Sequence, residues 1–251
     1  MRIKLIACEV FARELMLAAA TSPHVVELKL MPFGLHDIPE NLRSAIQEEI
    51  DSLEEGSCDY IALGYGLCSR GTAGLRAGSI PLVVPRAHDC ITLLLGSRSR
   101  YNEEFTEHPG TYYYSCGWIE RKTGEVQQGF IDDAPDGPGH HVPAHRGDRY
   151  QEYVEKYGED NAKFLIEQES LWLANYTRAA LIDMGLGDIE SYRRFTRELA
   201  AGHGWDYAEL TGDVSLLRRL ASGEWDPADF LTVQPGRSVA ESFDEGVLKE
   251  G

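Results

Sequence analysis

The chain has 251 residues, of which 43% are hydrophobic and 26% charged, and a formal net charge of −17 at pH 7. This length and composition suit a globular protein of one large α/β domain or two small ones. The acidic balance leaves no basic stripe to neutralise phosphates, so we expect no nucleic-acid partner. No apolar stretch approaches the roughly 20 residues that span a bilayer, and the start of the chain does not resemble a signal peptide, so we expect no membrane partner and a cytoplasmic protein.

Short apolar runs alternate with amphipathic runs through the first 108 residues. The pattern predicts strands at residues 3–7, 25–31, 59–64 and 80–84, and helices at 9–20, 39–55 and from residue 91 onward. Alternation of this kind predicts a parallel sheet with right-handed crossovers. The first part of the chain is therefore expected to be a Rossmann-like α/β unit.

The rest of the chain is more varied. An aromatic strand is predicted at 112–119, followed by a segment at 132–147 rich in Gly, Pro, Asp and His, whose length and polarity predict a functional loop or lid. A further series of predicted strands and helices lies at 179–183, 189–201, 207–210, 214–221 and 230–233. We therefore expect a cysteine-bearing lobe at 1–120, a lid and linking helices at 121–176, and a second, smaller α/β lobe at 177–251, whose acidic tail after Arg237 is frayed.

Three of the five cysteines, Cys8, Cys68 and Cys90, each follow a predicted strand. Ligands of open α/β sheets lie outside the carboxyl ends of the strands. In the flavodoxin-type strand order 2-1-3-4-5, strands 1, 3 and 4 are neighbours and their ends lie within roughly 10 Å of one another. A site shared by the three thiols therefore predicts this order rather than the dinucleotide-binding order.

The three thiols suggest metal chemistry. Each cysteine lies near a predicted helix start, where the helix dipole lowers a thiol pKa, and Asp89 is placed to cap the helix that begins at Cys90. Three thiolates around Zn²⁺ leave a fourth position, for which His88 and Glu9 are the local candidates, either as ligands or as groups that move protons. The same sulfurs could instead hold an iron-sulfur cluster, serve singly as a catalytic thiol, or be independent buried cysteines.

Other residues are weaker candidates for substrate binding. Tyr65 and Gly66 belong to a glycine-rich turn after the third strand, where the backbone can approach a ligand closely. Arg86 could bind an anionic group of a substrate, or form a salt bridge at the rim of the sheet.

Two further cysteines and a group of histidines are also possible metal ligands. Cys58 precedes the third strand and is expected at the opposite sheet edge, whereas Cys116 could approach the site as an extra ligand. The histidines at 140, 141 and 145 resemble a metal tract, although a solvated loop explains them as well.

Three strings of sequence carry a resemblance. They are Ile6-Ala7-Cys8-Glu9-Val10-Phe11, Tyr65-Gly66-Leu67-Cys68, and the block from Pro85 to Ser97 that contains Arg86-Ala87-His88-Asp89-Cys90. Together they resemble the DUF1638 family, an uncharacterised group of bacterial and archaeal proteins. The resemblance implies an association with anaerobic one-carbon and corrinoid-dependent methyl metabolism.

The site and the resemblance together suggest a metal-dependent methyltransferase. In this hypothesis Zn²⁺ held by Cys8, Cys68 and Cys90 assists methyl transfer between a small-molecule substrate and a thiol or corrinoid acceptor, with a corrinoid protein as a partner. The alternatives are a non-catalytic accessory protein that carries a metal or cofactor, and an iron-sulfur redox protein.

Overall fold

The computed structural model describes residues 1–120, 146–244 and 246–251. The strands are β1 Arg2–Cys8, β2 Val25–Met31, β3 Tyr60–Gly64, β4 Leu82–Pro85, β5 Thr111–Tyr114, β6 Arg178–Asp183, β7 Asp206–Thr211, β8 Phe230–Val233, β9 Val239–Glu241 and β10 Leu248–Glu250. The α-helices are α1 Ala12–Thr21, α2 Pro39–Asp51, α3 Cys90–Leu95, α4 Arg98–Glu107, α5 Cys116–Glu120, α6 Arg146–Tyr157, α7 Glu159–Leu173, α8 Ile189–His203 and α9 Ser215–Ala221.

The larger sheet has the order β2-β1-β3-β4-β8. Its first four strands are parallel, and β8 pairs with β4 in the antiparallel direction. Central strands such as β3 and β4 are almost wholly apolar, because helices cover both faces of a parallel sheet. The expected adjacency of strands 1, 3 and 4 is confirmed, and their carboxyl ends share one edge.

A smaller sheet has the order β5-β6-β7, with all three strands parallel. Its core is rich in aromatic side chains, including Tyr112, Tyr114 and the fully buried Tyr192 of α8. The chain is thus an α/β protein with a parallel-rich main sheet and a second, smaller α/β unit.

Two strands lie in a different sheet from the one that the sequence suggested. The aromatic strand β5 belongs to the smaller sheet, whereas β8 returns to the larger one. The division of the chain at residues 120 and 176 stays a prediction. However, β5 precedes residue 120 and pairs with strands that follow residue 176, whereas β8 follows residue 176 and pairs with a strand that precedes residue 120. Pairing between distant strands decides this, and local sequence does not encode it.

Three local predictions need correction or fall outside the structure. The aromatic strand predicted at 112–119 ends at Tyr114, because α5 begins at Cys116. The tail after Arg237 is ordered, since β9 and β10 form an antiparallel pair with Leu248 buried. The predicted lid at 132–147 lies outside the described residues, apart from the last two, which begin α6, and the histidines of that tract lie outside as well.

Within the described ranges, no helix is both long and apolar enough to cross a bilayer.

Candidate functional site

A pocket of about 280 Å³ lies at the carboxyl ends of β1, β3 and β4. Cys8, Cys68 and Cys90 all line it. Thr111 and Tyr112 of β5 line the same pocket, so both sheets contribute to it. The structure therefore brings together the three cysteines that the sequence singled out.

The loop after β3 places Cys68. Cys68, Ser69 and Arg70 have φ angles of 45°, 54° and 70°, so three consecutive non-glycine residues occupy the left-handed region. Each such residue costs about 1–2 kcal/mol. Strain of this kind persists where surrounding contacts hold the backbone, and it is often found at functional sites.

Backbone contacts join the loop of Cys68 to the loop of Cys90. The amides of Leu67 and Cys68 donate to the carbonyls of Ala87 and His88 at 2.8 and 2.9 Å. A Cβ on Gly66 would lie 2.6 Å from the Ala87 carbonyl oxygen, so only glycine permits this approach. Gly66 thus lets the two cysteine loops pack together. Glycine is required here by the close packing of the two loops and not by contact with a ligand.

Burial makes the three thiols weak acids. It raises the pKa of Cys8 to about 12 and raises the pKa values of Cys68 and Cys90, and each of these two is raised further by the charges of Asp89 and of neighbouring thiols. The expected lowering of the thiol pKa values by helix dipoles is therefore wrong, because desolvation is the larger effect. The thiols are neutral in the protein on its own.

Asp89 caps α3 as the sequence suggested. One of its carboxylate oxygens accepts from the amides of Ile91 and Thr92 at 3.0 and 3.2 Å, and the other accepts from the Tyr101 hydroxyl at 3.1 Å. Burial raises the pKa of this carboxyl, while these hydrogen bonds and the nearby His88 ring oppose the rise. Asp89 also lines the pocket and places a carboxyl group beside the thiols.

Tyr65 lines the pocket directly after β3. Its hydroxyl is buried and has no hydrogen-bond partner among the described residues. Burial raises the pKa of Tyr65, with smaller contributions from Cys8, Cys68 and Glu9, so the hydroxyl lies near two of the thiols. A buried donor of this kind is suited to a bound ligand.

Unlike the three thiols, the two residues proposed for proton transfer, His88 and Glu9, do not line the pocket. The His88 side chain is exposed and stacks on Tyr101 with ring centroids 5.9 Å apart, and it does not line the pocket. The Glu9 carboxylate accepts from the amide of Phe33 at 2.7 Å, which fixes the start of the loop after β2. Glu9 is close enough to act electrostatically on Cys8, whereas His88 is turned to the surface.

Arg86 points away from the pocket. Its guanidinium donates to the carbonyls of Pro227, Gly246 and Leu248. These contacts fasten the C-terminal segment to the end of β4. The geometry thus gives Arg86 a structural role and lends no support to its proposed role in substrate binding.

The remaining cysteines lie elsewhere. Cys58 is half-buried and packs beneath the start of β3, at the sheet edge opposite the pocket. Cys116 donates through its thiol to Glu14 at 3.2 Å and does not line the pocket. Neither position supports a role as a ligand at the three-thiol site.

Aromatic side chains form a wall of the pocket that was not predicted from the sequence. Phe33 and Trp118 are edge-on to each other with ring centroids 4.6 Å apart, and Trp118 and Tyr112 are 6.2 Å apart. Tyr176 and His36 also line the pocket. The aromatic density of residues 112–118 was a visible signal, but the other three rings come from distant segments.

The thiols do not form a ready-made metal centre. Across residues 1–120, 146–244 and 246–251, no three Cys, His, Asp or Glu side chains are arranged so that they could hold a metal ion as they stand. Three cysteine sulfurs are suitable donors for a metal such as Zn²⁺, but the positions of these side chains do not match a metal-binding geometry. Metal binding at this place would require the cysteine loops to draw together.

Comparison with known proteins identifies the family. The sequence profile described as "Protein of unknown function (DUF1638)" matches residues 30–221, which is more than half of the chain. The chain belongs to the DUF1638 family. The match to DUF1638 includes Cys68 and Cys90, whereas Cys8 precedes it. No curated protein matches this DUF1638 member. No solved structure matches it either.

Proposed function

We propose that the protein is a metal-dependent enzyme of one-carbon metabolism, with Cys8, Cys68 and Cys90 as ligands of Zn²⁺ and with methyl transfer between a small-molecule substrate and a thiol or corrinoid acceptor. The observation that carries the proposal is the meeting of three thiols from three adjacent strand ends in one pocket. A bound zinc ion would supply Lewis-acid activation of a thiol or of a leaving group.

The pocket itself supports a chemical role for this site. It has space beside the thiols for a small substrate, and its aromatic walls keep that space poor in water. The hydroxyl of Tyr65 is left to donate to whatever binds next to Cys8 and Cys68. Asp89 holds a carboxyl group at the same place through three hydrogen bonds.

The strained loop supports the proposal as well. Cys68 sits in a left-handed backbone conformation that bulky residues avoid, and two backbone hydrogen bonds hold it against the loop of Cys90. A mobile link between these two cysteines would cost entropy on metal binding, whereas this link is already fixed.

Metal analysis of protein purified without oxygen tests the proposal. We expect about one zinc ion per chain in the parent and its loss in Cys68→Ser and Cys90→Ser. Cys58→Ser is the matched control and should keep the metal, because Cys58 lies at the other edge of the sheet. Equal metal content in all three variants, or no metal in the parent, would contradict the zinc assignment.

Spectra and turnover separate this proposal from the alternatives. Iron and sulfide with broad visible absorption would identify an iron-sulfur protein. Zinc without transfer of a methyl group between methylcobalamin and any thiol or amine acceptor would leave the accessory role. Methylated product that depends on Cys68 and Cys90, but not on Cys58, is the outcome expected for the enzyme.

A further inference from the structure

The pocket has an aromatic wall whose rings meet at steep angles. Phe33 and Trp118 are inclined at 88° with centroids 4.6 Å apart, and Tyr112 and Trp118 at 70° with centroids 6.2 Å apart. Tyr176 continues the wall at 67° to Tyr112, with centroids 5.2 Å apart. All four rings line the same pocket, so a ligand there would contact several aromatic side chains at once, as a methylated ammonium group does in an aromatic cage.

The charges around the pocket favour a cation. Among the described residues that line it, none is a lysine or an arginine, whereas the Asp89 carboxyl group does line it. Glu9 adds a nearby carboxylate that acts on Cys8 and Tyr65. His36 contributes positive charge only when its ring is protonated. A bound anion would therefore lack a permanently charged partner among these described residues, whereas a cation would lie beside the Asp89 carboxyl group.

Hydrogen bonding then decides the kind of cation. A primary ammonium group brings three N–H donors, and each needs an acceptor once it is buried. The Asp89 oxygens already accept from Ile91, Thr92 and Tyr101, so this carboxylate, with about four acceptor positions, cannot satisfy all three donors of an ammonium group. A quaternary ammonium has no N–H group, so it leaves no donor unsatisfied and presents only methyl groups to the rings.

We infer that this pocket binds a small quaternary, N-methylated ammonium ion. The recognition of this ion is argued from the walls of the pocket, whereas any reaction of the bound ion rests on the proposed methyl transfer. The aromatic rings hold the charged methyl groups, and the thiols line the same space. Among possible methyl donors for the proposed transfer, the inference therefore selects quaternary N-methylated ammonium compounds.

Calorimetric titration of the purified full-length chain tests this inference. The probes are choline and 3,3-dimethyl-1-butanol, its neutral isostere in which carbon replaces the charged nitrogen. We expect choline to bind at least about tenfold more tightly than the isostere, because a desolvated cation–π contact is worth about 2 kcal/mol. Equal or tighter binding of the isostere would overturn the inference and leave a merely apolar pocket.

Variants locate the binding. Phe33→Leu and Trp118→Leu should each weaken choline binding about tenfold. Phe243→Leu is the control, since Phe243 is 93% exposed and remote from the pocket lining, and it should leave binding unchanged. Thermal unfolding checks that each variant is folded, and the comparison of the two probes on the parent needs no variant at all. Unchanged choline affinity in folded Phe33→Leu would also overturn the inference.

Further outcomes distinguish this inference from the proposed function. Binding of anisole without binding of choline would overturn it in favour of a neutral aryl methyl ether. The metal content of each sample is measured in parallel. Metal without choline binding rejects the ligand class alone, whereas choline binding without metal supports the ligand class and rejects the zinc site.

Discussion

Tyr65 places a phenol hydroxyl beside two thiols in an otherwise apolar part of the pocket. The hydroxyl is buried and has no partner within the described residues, so it contributes nothing to folding that a phenylalanine would not. A bound ligand that also carries an acceptor oxygen, such as the hydroxyl of choline, would give this donor a partner. Tyr65, rather than His88, is therefore the hydrogen-bond donor that the geometry places in the pocket.

Tyr65→Phe tests this reading. We expect a free energy of unfolding within about 1 kcal/mol of the parent, because the change removes no hydrogen bond among the described residues. We expect methyl-transfer activity to fall about tenfold or more while the metal content stays the same, since a hydrogen bond to a ligand is lost. A large loss of stability with full activity would show that the hydroxyl serves the fold. His88→Gln, at an exposed position, is the control that should keep activity.

Glu14 is a second buried group, away from the pocket. It is 1% exposed on α1, and one of its oxygens accepts from the Cys116 thiol at 3.2 Å. Burial raises the pKa of the Glu14 carboxyl, and the charge of Glu120 raises it further, whereas the thiol hydrogen bond and the charge of Arg13 oppose the rise. The folded protein therefore keeps this proton to a higher pH than the unfolded chain does.

The sign of the resulting pH dependence follows directly. As the pH rises above the ordinary glutamate value of about 4.3, the unfolded chain releases the proton first, so the Glu14 contribution to stability is lost through the raised pKa. Glu14→Gln removes this titration and keeps an acceptor for Cys116. We expect the stability of the variant relative to the parent to increase from pH 4 to pH 8. Denaturant unfolding at both pH values measures this, with exposed Glu103→Gln as the control, and a constant difference would refute it.

The paired loops after β3 and β4 are the elements that build the site. The two backbone hydrogen bonds between them depend on a close approach at Gly66, while Thr72 donates from its buried hydroxyl to the Gly66 carbonyl at 2.9 Å. A side chain at Gly66 would clash with backbone atoms of Ala87 rather than with a flexible side chain. The loops could accommodate it only by moving apart, and this would displace Cys68 or Cys90.

Gly66→Ala tests the role of these elements. We expect it to destabilise the protein by about 2–3 kcal/mol through overpacking, and to reduce metal binding because the cysteine loops separate. Gly78→Ala lies between the same two strands, where an added Cβ meets nothing within 4 Å, so it should change neither property. Unfolding curves and metal content report both effects. Equal behaviour of the two variants would show that the loop contact does not matter.

At the scale of the whole molecule, an ion pair between α1 and α5 links the two sheets beside the pocket. Arg13 of α1 binds both oxygens of Glu120 at 2.6 and 2.7 Å, and the Tyr192 hydroxyl of α8 donates to the same carboxylate. Gly117 reinforces this junction, because a Cβ there would lie 1.8 Å from the Val10 carbonyl oxygen. The pocket is complete only when both sheets are held in this relation.

Glu120→Gln tests that junction. The change keeps the size of the side chain but removes the charge paired with Arg13, so we expect a loss of about 2–3 kcal/mol in the free energy of unfolding. We also expect weaker binding of any ligand that spans the thiols and Trp118, because the aromatic wall is less firmly placed. Exposed Glu103→Gln again serves as the control. Full stability in Glu120→Gln would show that this ion pair does not contribute to holding the sheets together.

The sequence by itself determined the parallel α/β class, the order of the first four strands through the cysteine argument, and the shared edge of Cys8, Cys68 and Cys90. These follow from hydrophobic periodicity and from the rule that residues after parallel strands meet at one edge. The capping role of Asp89 followed in the same way, because it depends on residues two and three positions away.

Only the tertiary structure decided which sheet β5 and β8 join, that burial keeps the thiols protonated, and that His88 and Arg86 turn away from the pocket. It also supplied the aromatic wall from Phe33, Trp118 and Tyr176, which are far apart in the chain. The physical reason is the same in each case. Strand pairing, desolvation and side-chain direction depend on contacts between distant segments, and periodicity along the chain carries no record of them.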